Sequence, residues 1–158
     1  MSKVPMTVMG AQRLKAELHR LKTRERPDVI RALADARSHG DLSENADYDA
    51  AKERQGFVEG RIAEIEHKLA GAQVIDPADL DADGRVVFGA TVDLRDAESG
   101  IEVTYQIVGD DEADLKHGKI SVSSPIARAL IGRNEGDVAE VQAPGGAREY
   151  EVLAVRYV

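Results

Sequence analysis

Four carboxylates lie close together in the first half of the sequence, in a stretch that contains no basic residue. The stretch runs from Gly40 to Asp49, and its acids are Asp41, Glu44, Asp47 and Asp49. Asp41 and Glu44 are three residues apart, so on a helix both carboxylates can point the same way. Mg²⁺ prefers oxygen ligands and typically takes only one or two carboxylates from a protein. Asp41 and Glu44 are therefore candidate Mg²⁺ ligands in a site shared with another protein and a nucleic-acid backbone, where such an ion helps to orient an attacking water.

Basic residues flank the acidic stretch. Arg37 precedes it and Lys52 follows it, and residues 1–37 hold 9 Lys and Arg against 4 Asp and Glu. Residues 76–158 hold 8 against 17, so the net charge of −8 is a poor guide to partners. Arg37 and Lys52 are candidates for holding a phosphate backbone near the acids without reading its sequence.

The same residues also fit a purely structural interpretation. Asp41 followed at the third position by Glu44 is the aspartate form of a capping box, in which both side chains bind free N–H groups at a helix start. Asp47 and Asp49 would then favour the helix dipole. The bases of the first arm would pair with acids at helical spacing on a solvated face. Spacing alone leaves both interpretations open.

Apolar residues at alternating steps of four and three predict a helix on each side of the acidic stretch. Thr7 is a suitable N-cap for the first helix, and Gly71 is a suitable end for the second. The facing pairs are Leu14 with Leu69, Leu18 with Ile65, and Leu21 with Ile62. The residue numbers of each pair add up to the same total, so an antiparallel coiled coil must turn between residues 41 and 42. Its first arm would be roughly 40 Å long.

A proline interrupts the first arm. Pro27 lacks the N–H that continues a helical ladder, and beyond it the apolar positions shift to Val29, Ile30 and Leu33. We therefore expect a kink or a change of register there, although a helix can also simply tolerate such a proline.

The second half of the sequence predicts a bent antiparallel sheet with one solvated face and one helix, an α+β domain. The predicted strands are residues 90–94, 101–108, 119–122, 137–142 and 147–157, the last two joined by a turn at Pro144-Gly145-Gly146. Ser124 as N-cap and Pro125 as first residue predict a short helix that ends at Gly132. The polar, turn-rich segment after residue 75 divides the chain into domains 1–75 and 76–158.

Several classes of function are excluded by composition. The chain has no cysteine, which excludes disulfides and thiolate chemistry, and its four histidines show no metal-ligand spacing. No apolar run approaches the roughly 20 residues that span a bilayer, and the N-terminus lacks the apolar region of a signal peptide. A cytoplasmic protein without a membrane partner is expected.

Several long motifs, in order, resemble the GreA/GreB family of bacterial transcript cleavage factors over nearly the whole chain. They are residues 40–48, 55–62, 88–92, 107–113 and 120–132. The resemblance implies a coiled coil that enters the secondary channel of RNA polymerase, and a domain of FKBP-like fold that docks at the channel rim. A monomer is expected.

The resemblance also implies roles for individual residues. Asp41 and Glu44 would help to hold the second catalytic Mg²⁺ of the polymerase, which then hydrolyses the 3′ end of a backtracked nascent RNA. Arg37 and Lys52 would contact that RNA. The rim contact would involve the loop around residues 121–126, with Ser121, Ser124, Pro125 and Ile126.

Two alternatives and one departure from the family accompany this interpretation. Ser43 replaces a lysine that is frequent at this position in the family, and in this respect the chain resembles the GreB branch. Residues 88–91 and 109–113 instead have the GreA form. The first alternative is a factor that occupies the channel and modulates polymerase without cleavage. The second is an independent prolyl isomerase, which the few aromatic residues of the second half disfavour. The sequence thus predicts an accessory factor without activity of its own.

Overall fold

The computed structural model describes residues 3–40 and 45–158 of the chain. The chain divides into two compact units. The first is Ala11–Gly71, and the second combines Met1–Gly10 with Ala72–Val158. The N-terminal segment is thus grouped with the C-terminal residues, a feature that a division at residue 75 does not describe.

The first unit is an antiparallel helical hairpin, as predicted. Its helices are α1 (Val8–Arg20), α2 (Arg26–Arg37) and α3 (Ala46–Ala70), with a π-helical turn, Leu21–Glu25, between α1 and α2. The segment between α2 and α3 is centred between residues 41 and 42, where the facing apolar pairs place the turn. The seam between the helices buries Leu14, Leu21, Val29, Leu33, Ala36, Ala51, Val58, Ile62 and Ile65.

The π-helical turn changes the register of the first arm by one residue. The N–H of Arg26 donates to the carbonyl of Leu21, five residues back instead of four. The 4,3 pattern of α1, continued without this turn, would bury Asp28, Ala32 and Asp35. The residues that are buried are their next neighbours, Val29, Leu33 and Ala36. The predicted change of register is confirmed, and it keeps two carboxylates out of the seam, where burial would be costly.

The ion pairs between the two arms of the hairpin include four that join a Lys or Arg to a Glu. Arg26 makes a two-pronged contact with Glu59, at 2.8 and 2.7 Å, and Arg61 makes another with Glu17, at 2.6 and 2.9 Å. The other two join Arg54 to Glu25 and Lys22 to Glu66. Hydrogen bonding to the guanidinium of Arg61 lowers the pKa of Glu17, and Arg26 does the same for Glu59. The stabilisation from the Arg61–Glu17 and Arg26–Glu59 pairs is therefore present at neutral pH and is lost as the pH falls through the lowered pKa values.

The second unit is built on a five-stranded sheet. Its strands are β3 (Thr91–Asp96), β4 (Glu102–Val108), β5 (Lys119–Ser121), β6 (Val138–Ala143) and β7 (Gly146–Arg156). They lie in the order β5-β4-β3-β7-β6. All five lie within two residues of the predicted strands. The predicted antiparallel arrangement is wrong at one edge, because β5 pairs with β4 in parallel. The register of β3 against β7 shifts after Asp93, and such a bulge bends a sheet.

A short helix, α4 (Pro125–Leu130), packs on this sheet. The hydroxyl of Ser124 accepts the N–H of Ala127 at 3.3 Å, so the predicted cap is confirmed. Ala127 and Leu130 are fully buried and join a core that also contains Val92, Leu94, Ile107, Ile120, Ala139 and Val152. The α+β class expected from the sequence is therefore correct.

A two-stranded parallel pair was not predicted. It consists of β1 (Val4–Thr7) and β2 (Ala72–Ile75). Thr7 ends β1 and caps α1, since its hydroxyl oxygen accepts the N–H of Gly10 at 3.1 Å. The carboxylate of Glu112 accepts hydrogen bonds from the hydroxyl and N–H of Thr7 and from the N–H of Gly109. Glu112 therefore fixes the start of α1 within this unit.

Among the described residues, every helix is too short or too polar to cross a membrane.

The register of the hairpin predicts opposite effects for two neighbouring residues. Val29 is 1% exposed and Ile30 is 54% exposed. Val29→Ala removes buried methyl groups and should lower the free energy of unfolding by about 2 kcal/mol. Ile30→Ala should change it by less than about 0.5 kcal/mol. Urea unfolding of both variants checks this, and equal losses would contradict the observed register.

Candidate functional site

The end of the hairpin between α2 and α3 is held by a short network of hydrogen bonds. The N–H of Ser38 donates to the carbonyls of Ala34 and Asp35, and that of His39 donates to the carbonyl of Ala36. Gly40 follows with φ of +103°, a left-handed conformation that glycine adopts without strain. The chain therefore leaves α2 through a tight turn just before the acidic residues.

Asn45 joins the two helices at this end. Its side-chain oxygen accepts the N–H of Tyr48 at 3.0 Å, which makes Asn45 the N-cap of α3. Its side-chain amide donates to the carbonyl of Ala36 at the end of α2, at 2.6 Å. Asn45 thus holds the cap position of α3, while the predicted capping box of Asp41 and Glu44 falls on residues outside the described part of the chain.

The two candidate Mg²⁺ ligands, Asp41 and Glu44, lie outside the described residues, as does Ser43. The other two acids of the stretch, Asp47 and Asp49, lie in the first turn of α3, where they favour the helix dipole as expected. Asp47 also lies 3.8 Å from a ring nitrogen of His39.

The two candidate RNA-binding residues lie on opposite arms close to this end. The guanidinium carbon of Arg37 lies 6.0 Å from the centre of the Tyr48 ring. Lys52 lies one turn beyond Tyr48 on α3 and donates to the side-chain oxygen of Gln55 at 3.2 Å. Residues four apart share a helix face, so Tyr48 places Arg37 and Lys52 on the same side of the hairpin. Neither cation forms an ion pair with another residue of the described chain.

Other cations of the hairpin have a different environment. The guanidinium groups of Arg26, Arg54 and Arg61 bind carboxylates of the opposite arm. For these residues the structural interpretation of the basic arm is correct. Among the described residues it does not extend to Arg37 and Lys52, which contact an aromatic ring and an amide instead of an acid.

A shallow groove lies between α2 and α3 near the same end. Its floor is made of alanines, and its rim carries both charges and a histidine; the lining residues are Ala32, Asp35, Ala36, His39, Asp47, Ala50, Ala51 and Arg54. Arg37 and Lys52 do not line it. The bases and the alanine groove are thus separate surfaces of the hairpin.

Among the described residues, no group of three or more His, Asp or Glu side chains is arranged to hold a metal ion. Asp41 and Glu44 offer the hard oxygen donors that suit Mg²⁺. A pair of carboxylates leaves most of the coordination sphere to water or to a partner, so these residue types fit a shared site.

The four residues expected to contact polymerase surround the start of α4. Ser121 ends β5, and its hydroxyl donates to the carboxylate of Asp110, as does the hydroxyl of Ser123 at 2.7 Å. These hydrogen bonds lower the pKa of Asp110. The hydroxyl of Ser124 donates to the carbonyl of Ser121 at 2.7 Å. The turn that leads to Pro125 and Ile126 is therefore ordered by side-chain hydrogen bonds, and it leaves Pro125 exposed and Ile126 half-buried.

Three residues at these sites were missed by sequence reasoning. Asn45 carried a signal, since asparagine before an apolar-periodic segment is a good N-cap. Tyr48 and Asp110 carried none, because their contacts with Arg37 and with Ser121 depend on the fold.

Comparisons with known proteins agree over the whole chain. Residues 4–74 match a family described as "Transcription elongation factor, N-terminal", and residues 81–157 match "Transcription elongation factor, GreA/GreB, C-term". A transcription elongation factor GreA of Ralstonia nicotianae is 75% identical over 100% of both chains, and one of Neisseria meningitidis serogroup A is 65% identical over 100% of both.

Solved structures are also similar to the chain. The crystal structure of GreA factor homolog 1 of Thermus thermophilus is 30% identical, covers 98% of this chain and 99% of its own, and has a TM-score of 0.43. The two family matches together span most of the sequence. The chain therefore belongs to the GreA/GreB family of transcription elongation factors.

Proposed function

We propose that the chain binds RNA polymerase, inserts the tip of its hairpin through the secondary channel, and stimulates the polymerase's own endonucleolytic cleavage of backtracked nascent RNA. Arrested complexes would then resume elongation. The observation that carries this proposal is a long hairpin whose end combines an acidic segment with two cations that pair with no acid in the described chain.

The length of the hairpin supports a function in which its end must extend far from the rest of the chain. Helix α3 has 25 residues, which corresponds to about 38 Å. Along this length the buried side chains join one arm to the other. Such a structure can carry chemical groups into a narrow channel.

The acidic segment supplies the chemistry. Asp41 and Glu44 would each offer a carboxylate to a Mg²⁺ ion that is also held by polymerase and by the RNA. When bound, that ion activates a water for attack on a phosphodiester. Because Asn45 caps α3, Asp41 and Glu44 are not needed for that cap.

Arg37 and Lys52 would hold the RNA near the acids. Their charges suit a phosphate backbone, which is bound without reading its sequence. The turn at residues 121–126 would dock at the channel rim through Ser121, Ser124, Pro125 and Ile126. The factor would act as a monomer in the cytoplasm and would have no activity of its own.

Replacing the two carboxylates tests the proposed Mg²⁺ donors. Asp41→Asn with Glu44→Gln should abolish cleavage in a stalled, backtracked complex, because amides are poor Mg²⁺ ligands. The free energy of unfolding should stay within about 1 kcal/mol of the wild type. The matched control is Asp47→Asn with Asp49→Asn, which removes the same charge nearby and should retain cleavage.

Cleavage by the folded Asp41→Asn, Glu44→Gln protein would show that the donor assignment is wrong. A wild-type protein that binds polymerase but stimulates no cleavage would favour a factor that only occupies the channel.

The isolated chain should bind Mg²⁺ weakly, because two carboxylates leave most of the coordination sphere to other ligands. Calorimetric titration of the free protein with MgCl₂ measures this. Tight stoichiometric binding without polymerase would contradict a shared site.

Asp110 offers a test of the docking turn. Asp110→Ala removes the acceptor for two hydroxyl groups, each worth about 1 kcal/mol, and loosens the turn that presents Pro125. The factor concentration for half-maximal cleavage should rise roughly five- to thirtyfold, while the rate at saturation stays unchanged. Asp93→Ala is the matched control, since Asp93 accepts hydrogen bonds from Thr104 and Arg156 elsewhere on the sheet. If Asp110→Ala lowers only the cleavage rate at saturating factor and leaves the half-maximal concentration unchanged, docking through this turn is contradicted.

A further inference from the structure

Arg37 contacts an aromatic ring. Its guanidinium carbon lies 6.0 Å from the centre of the Tyr48 ring, which is within the range of a cation–π contact. Arg37 is exposed and Tyr48 is half-buried. No ion pair joins Arg37 to another residue in the part of the chain that the structure describes.

This mode of contact leaves the hydrogen-bonding capacity of the arginine unused. A guanidinium carries five N–H donors in the plane of the group, and these match the oxygens of a phosphate. A contact with an aromatic ring restrains the side chain without consuming those donors. By contrast, Arg26 and Arg61 spend two donors each on Glu59 and Glu17.

The backbone at Tyr48 is itself held in place by hydrogen bonds. Tyr48 lies in the first turn of α3, and its N–H is bound by the side chain of Asn45 at 3.0 Å. Asn45 is bound in turn to the carbonyl of Ala36, the residue before Arg37. The cap thus fixes the backbone of both contact partners. Lys52, four residues after Tyr48, adds a second charge on the same helix face.

We propose that Tyr48 is a positioning residue that holds the guanidinium of Arg37 ready to bind a phosphate of single-stranded RNA. The inference rests on the proposed function, and it adds a residue and a mechanism to the RNA contact. Tyr48 restrains the Arg37 side chain before RNA arrives, so less conformational entropy is lost on binding. Lys52 binds a neighbouring phosphate as a point charge.

A double-mutant cycle in backtracked polymerase complexes tests this inference. Tyr48→Leu keeps an apolar side chain but removes the ring, and it should lower the cleavage rate at saturating factor about two- to fivefold. Tyr48→Phe retains the ring and should keep the cleavage rate of the wild type. Neither change should alter the factor concentration for half-maximal cleavage. In an Arg37→Gln background, Tyr48→Leu should have no further effect.

Each outcome of the cycle decides the matter. If Tyr48→Leu lowers the cleavage rate equally with and without Arg37, the inference is overturned while the proposed function stands. The same holds if Tyr48→Phe lowers the cleavage rate as much as Tyr48→Leu does. Urea unfolding of each variant checks that the hairpin remains folded. A wild-type protein that stimulates no cleavage would overturn the proposed function and this inference with it.

Discussion

The hairpin depends on one narrow seam of apolar side chains, and the seam imposes a strict register on both arms. Each residue added to a helix rotates the rest of that helix by about 100°. The π-helical turn Leu21–Glu25 adds one residue just before Pro27 and so rotates α2 onto Val29, Leu33 and Ala36. Without that turn, Asp28 and Asp35 would face α3. The direction in which Arg37 points at the end of α2 therefore depends on a turn more than ten residues earlier.

The cations of the hairpin differ in their partners, which composition cannot show. Along the length of the arms, Arg26, Arg54 and Arg61 face carboxylates of the opposite helix. Near the end, Arg37 rests on Tyr48, and Lys52 contacts an uncharged amide. Exposed ion pairs of the first kind contribute little stability, because solvent and salt screen them. Their main effect is to neutralise those cations, whereas Arg37 and Lys52 pair with no acid among the described residues.

Much of the fold could be predicted from the sequence, because its signals are local. The 4,3 spacing gave the helices and the centre of their turn, and alternation gave five strands to within two residues. The β1–β2 pair was missed because each strand has only four residues, and because the hairpin separates the two strands in the sequence. The parallel pairing of β5 was missed for a related reason, since alternation predicts a strand but not its direction. At the site, Arg37 and Lys52 could be identified as candidates from residue type and position. The contact of Arg37 with Tyr48 could not, because it depends on the register of two helices.

The helix cap shows why spacing alone could not decide between capping and metal binding. Asp41 and Asn45 are equally good N-caps by residue type. Asn45 makes a second bond as well, since its side-chain amide donates to the carbonyl of Ala36 at the end of α2. An asparagine side chain can accept the Tyr48 N–H and donate to Ala36 at once, whereas an ionised aspartate can only accept. Asn45 therefore satisfies both helix ends with one side chain. The capping interpretation and the metal-binding hypothesis no longer compete for the same carboxylates.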